Sequence, residues 1–316
     1  MKYCFGVDIG GTTVKMGLFD ENGDILQKWE SPTRTGNGGE AILPDIADAL
    51  LVCMEEQGLH AKDIIGVGVG VPAAVKEESM VESTANLGWG YKEVRKELET
   101  LTGLPVKIGN DANVAALGEL WKGGAKGYRN MVMVTLGTGV GGGIILDGRI
   151  LVGSKGIAGE IGHLTVNEEE TEVCGCTRRG CLEQYASATG IVRLAKRRLK
   201  NNQDPTVLNV DNVTAKDVFD AVKAGDTVAM EIAEQFGYYL GKALNSIAIV
   251  LDPEVFVIGG GVSKAGDVLL EYIDKYYRQN ALWSTKEIPL ALAKLGNDAG
   301  ICGAAKLAFE CKERKA

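Results

Sequence analysis

Apolar residues along the chain come in short blocks separated by glycine loops and by amphipathic stretches, a pattern that predicts an α/β protein. An apolar run over residues 3–7 leads into Asp8-Ile9-Gly10-Gly11-Thr12-Thr13, then a run over 14–19, an Asn22-Gly23 turn and a run over 24–29. Asn-Gly between two such runs favours a hairpin, because both residues tolerate positive φ, so the segment reads as a three-stranded meander. Residues 131–153 repeat the design: a run over 131–136, the loop Gly137-Thr138-Gly139-Val140-Gly141-Gly142-Gly143, a strand over 144–146, an Asp147-Gly148 turn and a strand over 149–152. A duplicated domain is expected.

A second echo points the same way. Residues 106–112 place Asn110-Asp111 between a short strand and a helical pattern running to 121, and residues 292–299 place Asn297-Asp298 before another running to 309. Both dipeptides suit a helix N-cap, and for Asn297-Asp298 that is the only role expected. Helical spacing predicts further helices over 40–57, 92–101, 182–199, 215–222, 227–250 and 265–277, and the strands 64–71 and 254–258, apolar but for Glu254, feed glycine-rich loops. Strands alternating with helices imply layered sheets buried on both faces.

Charge and composition narrow the function. With 316 residues there is room for two domains, and a net charge of -8 with both signs well mixed gives no reason to expect nucleic acid or an anionic membrane as partner. The basic stretch 193–200 reads as a solvated helix face. No apolar run approaches the roughly 20 residues needed to span a bilayer. Met1-Lys2-Tyr3-Cys4-Phe5 runs straight into strand-like sequence, so no signal peptide and a cytoplasmic protein are expected.

Two kinds of chemistry stand out. Three glycine loops follow predicted strands, at 8–13, 136–143 and 259–263, and exposed backbone N–H groups in such loops can cradle phosphate. Asp8 heads the first and could hold hydrated Mg²⁺. Separately, His163, one of two histidines, lies close to Cys174, Cys176 and Cys181, three of seven cysteines. Four soft or borderline donors fit tetrahedral Zn²⁺, and a full protein ligand set leaves no open coordination site, so the metal is expected to be structural. Glu160 and Glu183 lie just outside the two ends of this window. Cys4, Cys53, Cys302 and Cys311 sit singly among apolar residues and read as buried thiols.

Asp8-Ile9-Gly10-Gly11-Thr12, Gly109-Asn110-Asp111-Ala112-Asn113, the 135–143 loop, Glu160-Ile161-Gly162-His163 and the run from Cys174-Gly175-Cys176 to Cys181-Leu182-Glu183 together resemble, in order and over nearly the whole chain, the motifs of the ROK family of sugar kinases and repressors. The resemblance implies a duplicated actin-like, ribonuclease H-like ATPase fold with an active-site cleft between two domains. The expected division is a small N-terminal domain, 1–118, completed by a C-terminal helix at about 298–316, and a large domain, 119–297, carrying the zinc site.

Single residues then acquire roles by resemblance. Asp111 is implied to be the general base on the sugar's primary hydroxyl, with Asn110, Asp111, Glu160, His163 and Glu183 binding the sugar. His163 is implied to hold zinc through one ring nitrogen and the sugar through the other. ATP is implied at Asp8, Gly10, Gly11, Thr12, Thr13, Lys15, Gly137, Thr138, Gly139, Gly259, Gly260 and Gly261, with Mg²⁺. Thr177 and Ala73 stand where the family often has glycine. The pattern is most like ATP-dependent glucokinases, with N-acetylmannosamine, N-acetylglucosamine, allose or fructose as alternative acceptors. A homodimer is implied. A sugar-sensing repressor is the non-enzyme alternative, disfavoured because only seven residues precede Asp8, leaving no room for a helix-turn-helix domain.

Overall fold

Two five-stranded sheets with the same strand plan underlie the computed structural model, which describes residues 1–76, 79–84, 86–200 and 203–311. The strands are β1 Tyr3–Ile9, β2 Thr13–Asp20, β3 Ile25–Pro32, β4 Ile64–Val71, β5 Val75–Lys76, β6 Met80–Val81, β7 Val106–Asn110, β8 Met131–Leu136, β9 Val140–Leu146, β10 Arg149–Ile150, β11 Val255–Gly259 and β12 Leu290–Leu292. The sheet orders are β3-β2-β1-β4-β7 and β10-β9-β8-β11-β12, each an antiparallel meander extended by two parallel strands. This is the duplicated α/β architecture of the actin-like fold. The short β5–β6 hairpin stands apart from both sheets.

The turns differ in detail from each other. Asp147 and Gly148 both take positive φ, 52° and 76°, as a type I′ hairpin requires. At the first turn only Gly23 does so, at 79°, because the reversal begins earlier: the Asp20 carboxylate accepts from the N–H groups of Asn22 and Asp24 at 2.9 Å.

The chain divides into two compact units. The first takes in Met1–Gly127, Gly143–Ala158 and the C-terminal stretch from Lys294; the second takes in Tyr128–Gly142 and Gly159–Ala293. Residues 119–127 and 143–158 therefore belong with the first unit, although the sequence reading gave them to the second domain. Of the expected C-terminal helix, residues 312–316 lie outside the described residues.

Strand β4, Ile-Ile-Gly-Val-Gly-Val-Gly-Val, shows how the first unit is built. Its valines at 67, 69 and 71 join Phe5, Val7, Ile42, Ile46 and Leu50 in one core beneath the helix Ile42–Glu56. Its glycines face the other way: Gly68 toward the helix Ala299–Phe309, Gly66 toward Cys311 just beyond it, and Gly70 toward Asp8 and Val114. A Cβ at Gly68 would collide with the Ala304 carbonyl, and one at Gly303 with the Val114 carbonyl of the helix Asp111–Lys122. Glycine and alanine thus let the last helix lie directly on the sheet; an added methyl group would cost about 1–3 kcal/mol in overpacking. Buried Glu119 anchors the entry to that helix by accepting the N–H groups of Lys294 and Leu295 at 3.0 and 2.8 Å.

In the second unit the expected helix over 182–199 is two helices, Glu183–Ala186 and Ala188–Leu199. Ser187 adopts an extended conformation between them and caps the second by accepting the Gly190 N–H at 2.9 Å. The basic face of that second helix is not simply solvated. Arg193 and Arg197 both pair with Glu170, whose side chain is 2% exposed, and both also reach Glu172. Burial raises the pKa of the Glu170 carboxyl, but hydrogen bonds from Arg197 and Tyr185 outweigh it and hold the group well below the usual carboxylate range. No helix among the described residues is long and apolar enough to cross a membrane.

Candidate functional site

The acidic part of the site lies in the first unit, at the C-terminal ends of its parallel strands. Register pairs Asp8 of β1 with Gly70 of β4, and Gly70 with Gly109 of β7, one residue before Asn110-Asp111. The space over Gly70 is flanked by Asp8 and Asp111: a Cβ there would sit 3.5 Å from Asp8 Oδ1 and 3.7 Å from Asp111 Cα. Gly300, in the first turn of the last helix, leaves room for the Asp8 carboxylate; a Cβ there would run into it.

This crowding has an electrostatic consequence. Burial pushes the Asp8 carboxyl up to about 6, the Asp111 carboxylate adds to the rise, and Lys15, directly across the β1–β2 ladder, opposes it. A buried acid so placed favours a bound cation, which suits Mg²⁺.

Asp111 opens the helix Asp111–Lys122, and Asn110 is the cap: its Oδ1 accepts the Asn113 N–H at 3.1 Å. The Asn110 amide donates to Asp111 Oδ1 at 3.0 Å and to the Ala73 carbonyl at 3.2 Å, so it both orients the acid and ties it to the 71–75 loop. Its counterpart departs from expectation. Asp298 makes no cap hydrogen bond and instead accepts from Lys28 at 2.8 Å. The first glycine loop is closed by Gly10 N–H donating to Thr13 O at 3.0 Å, and braced by the Thr33 hydroxyl donating to Gly10 O at 2.7 Å. Gly11 and Thr12 lie exposed at its tip.

The metal-type cluster lies in the second unit. Donor atoms of His163, Cys174, Cys176 and Cys181 all fall within 4.8 Å of one another, with Cys176 Sγ and Cys181 Sγ 3.5 Å apart. A zinc–sulfur bond of about 2.3 Å gives a tetrahedral edge of roughly 3.7 Å, so three thiols and one imidazole at this spacing fit Zn²⁺. Burial pushes the Cys181 thiol up to about 12, a group that ionises at neutral pH only beside strong positive charge. His163 turns Nδ1 toward Cys174, 4.0 Å away. The segment Ile161–His163 is a 3₁₀ turn preceded by exposed Glu160, so Glu160 and His163 stand one above the other. Thr177, where the family often has glycine, has φ +70°, a conformation that glycine adopts freely and a β-branched residue resists.

Glu183 is placed differently from a free sugar ligand. Its Oε2 accepts the Val140 N–H at 3.2 Å and lies against Gly139, where any Cβ would strike it. The second glycine loop is also shorter than expected: Gly141, Gly142 and Gly143 lie within β9, leaving Gly137, Thr138 and Gly139 as the loop proper. The third begins at Gly259, the last residue of β11; Gly260 has φ +85° and packs on Leu136, and Gly261 opens a 3₁₀ turn.

Gly137, Thr138 and Gly261 line a cavity of about 540 Å³ in the second unit. Its other walls come from Thr214, Lys216, Phe219 and Asp220 on one side and Val262 and Lys264 on another. Sequence reasoning missed Thr214, Lys216, Phe219 and Asp220, because they cap or belong to an ordinary amphipathic helix, Ala215–Lys223, with no motif of its own; Val262 lies in the third glycine loop and Lys264 in the 3₁₀ turn that continues it. An apolar ring wall beside two phosphate-type loops suits a nucleoside.

The structure therefore groups Asp8, Gly10, Gly11, Thr12, Thr13, Lys15, Asn110 and Asp111 in the first unit, and Gly137 to Gly139, Glu160, His163, the three cysteines, Glu183 and Gly259 to Gly261 in the second.

Known proteins resemble the chain over nearly its full length. Over 96% of its length the chain is 44% identical to a glucokinase from Halalkalibacterium halodurans, of which 93% is covered. It superposes with a TM-score of 0.76 and 34% identity on a ROK family glucokinase from Streptomyces griseus in complex with glucose and AMPPNP, covering 98% of this chain and 99% of that one. For a ROK hexokinase from Thermus thermophilus the values are 0.82 and 33%, covering 99% and 100%. The model of the ROK family matches residues 4–310, and the chain belongs to that family.

Proposed function

We propose that this protein is an ATP-dependent hexose kinase that phosphorylates glucose at its 6-hydroxyl. The observation that carries the reading is the gathering of Asp8 and Asp111 beside Gly70 within a chain 44% identical to a glucokinase. Phosphoryl transfer needs positioning and charge stabilisation more than covalent help from the protein, so one oriented carboxylate and a set of backbone amides suffice.

Asp111 accepts the proton of the 6-hydroxyl as that oxygen attacks the γ-phosphorus in line. The new O–P bond forms, the bond from the γ-phosphorus to the β–γ bridging oxygen breaks, and ADP leaves with that electron pair. The Asn110 amide holds Asp111 in place. Asn110, Glu160 and His163 take the remaining sugar hydroxyls, His163 through Nε2, and Glu183 joins them through Oε1, its Oε2 being held by the Val140 N–H. The amides of the 10–13, 137–139 and 259–261 loops and Lys15 receive the phosphates. Mg²⁺ held at Asp8 supplies charge neutralisation on the phosphates when bound. His163, Cys174, Cys176 and Cys181 hold a structural Zn²⁺ that fixes the sugar loop. The protein works in the cytoplasm as a homodimer, as the family resemblance implies.

A coupled ADP-release assay across glucose, N-acetylmannosamine, N-acetylglucosamine, allose and fructose tests the reading. Glucose is expected to give the highest kcat/KM. A preference for another hexose would replace the acceptor, and no turnover with any of them would overturn the kinase itself.

A further inference from the structure

The segment from Glu183 to Gly190 does more than lead away from the cysteine cluster. Three of its groups fasten the short nucleotide-type loop that follows β8. Glu183 accepts the Val140 N–H at 3.2 Å, the Ala188 N–H donates to the Gly137 carbonyl at 2.8 Å, and the Thr189 hydroxyl donates to the Thr138 carbonyl at 2.8 Å. Together they hold three of the four residues from Gly137 to Val140. All these residues lie in the second unit.

Thr189 is the unusual member. A threonine in the first turn of a helix ordinarily turns its hydroxyl to nearby backbone. This one crosses to a carbonyl 51 residues away in sequence, although Ser187 alone already caps the helix. Ser187 Oγ, fully buried, lies 2.9 Å from Thr189 Oγ1 and 2.7 Å from the Glu183 carbonyl, so the hydroxyl is set by a fixed network. Ala188 and Thr138 both line the 540 Å³ cavity, so the contact is made at its wall.

We propose that Thr189 is a positioning residue for the nucleotide: it fixes the peptide at Thr138 so that the Gly137–Gly139 amides keep the orientation that receives phosphate. The inference rests on the kinase reading above. It adds that nucleotide affinity depends on a hydroxyl that touches neither substrate. An unbraced glycine loop samples many conformations, and ordering it on binding weakens affinity.

Calorimetric titration of the full-length protein with Mg²⁺ and a non-hydrolysable ATP analogue reads the brace without turnover, and steady-state kinetics read it with turnover. T189V, which keeps shape and removes the hydroxyl, is expected to weaken analogue binding and raise the KM for ATP by about five- to tenfold. The KM for glucose and the melting temperature should stay at wild-type values, and T189S should restore nucleotide affinity. Wild-type affinity in T189V would overturn the proposal, and so would equal loss in T189V and T189S, or a parallel rise in both KM values with a fall in melting temperature. Wild-type protein that binds the analogue yet phosphorylates no hexose would defeat the kinase reading alone, and the T189V titration would still decide the brace.

Discussion

The two copies of the repeated design share a strand plan and differ in what they carry at matching places. In the first sheet the penultimate residue of β1 is Asp8, paired with Gly70; in the second, the penultimate residue of β8 is Thr135, paired with Gly259. Each copy also places Asn-Asp before a helix, but Asp111 lies beside Gly70 and Asp8 while Asp298 is paired with Lys28. Duplication thus supplied two similar frames whose acids at matching places sit in different settings: Asp298 accepts from Lys28, whereas Asp111 accepts from the Asn110 amide. The second sheet presents neutral loops. Neutral loops suit the phosphate role proposed for them, because an acid beside a glycine loop would repel phosphate.

The sharpest way to break the comparison is to treat the two Asn-Asp pairs alike. Asp111→Asn is expected to lower kcat by about two orders of magnitude or more while glucose binding persists. Asp298→Asn removes an exposed ion pair and should cost under about 1 kcal/mol with turnover intact. Comparable turnover in both variants, measured by ADP release, would mean that the two acids are equivalent after all.

Next comes the cysteine and histidine cluster of the second unit. Cys176→Ala, or chelation, should lower stability by several kcal/mol and lower sugar affinity, because metal-binding energy is folding energy at such a site. Elemental analysis of folded, active protein that found no zinc would remove the assignment.

Asp8 offers a test in the opposite direction. Its folded pKa, about 6, lies above the ordinary 3.8, so the native state binds the extra proton and ligand-free stability falls as pH rises through the interval between them. At pH 7.5 the ionised group therefore costs up to about 3 kcal/mol. Asp8→Asn should raise the melting temperature of ligand-free protein at that pH while abolishing Mg²⁺-ATP turnover. A lower melting temperature would show that the Asp8 charge stabilises the fold. The smallest effect is expected at Thr177, whose positive φ is strained: Thr177→Gly should stabilise by about 1 kcal/mol or less in denaturant titration, with the metal retained.

Much of this was readable beforehand because the signals are local. The meanders, the Asn22-Gly23 and Asp147-Gly148 reversals, and the long helices follow from patterns within a few residues. What escaped depends on distant partners. Gly142 and Gly143 looked like loop but lie in β9, where a Cβ at Gly142 would strike Ile161 and one at Gly143 would strike Ala116. The basic stretch looked solvated because Glu170 and Glu172, which cover Arg193 and Arg197, lie more than twenty residues away. The break at Ser187 left a faint trace, a serine able to cap a second helix. Phe219 left none, since nothing in an amphipathic helix tells which of its residues face a ligand.

The glycine-lined seat of the last helix also bears on how the molecule is made. Cys4, Phe19 and Ile65 share their core with Ile301, Cys302, Ala305 and Ala308, so the first sheet is covered on that face by a helix made only after the whole second unit. The N-terminal unit must wait through the synthesis of the entire second unit with its glycine face open. Proteolysis of ribosome-bound chains should find residues 1–127 cleavable until residue 309 has emerged and protected afterwards; protection at earlier lengths would show that the face closes without that helix.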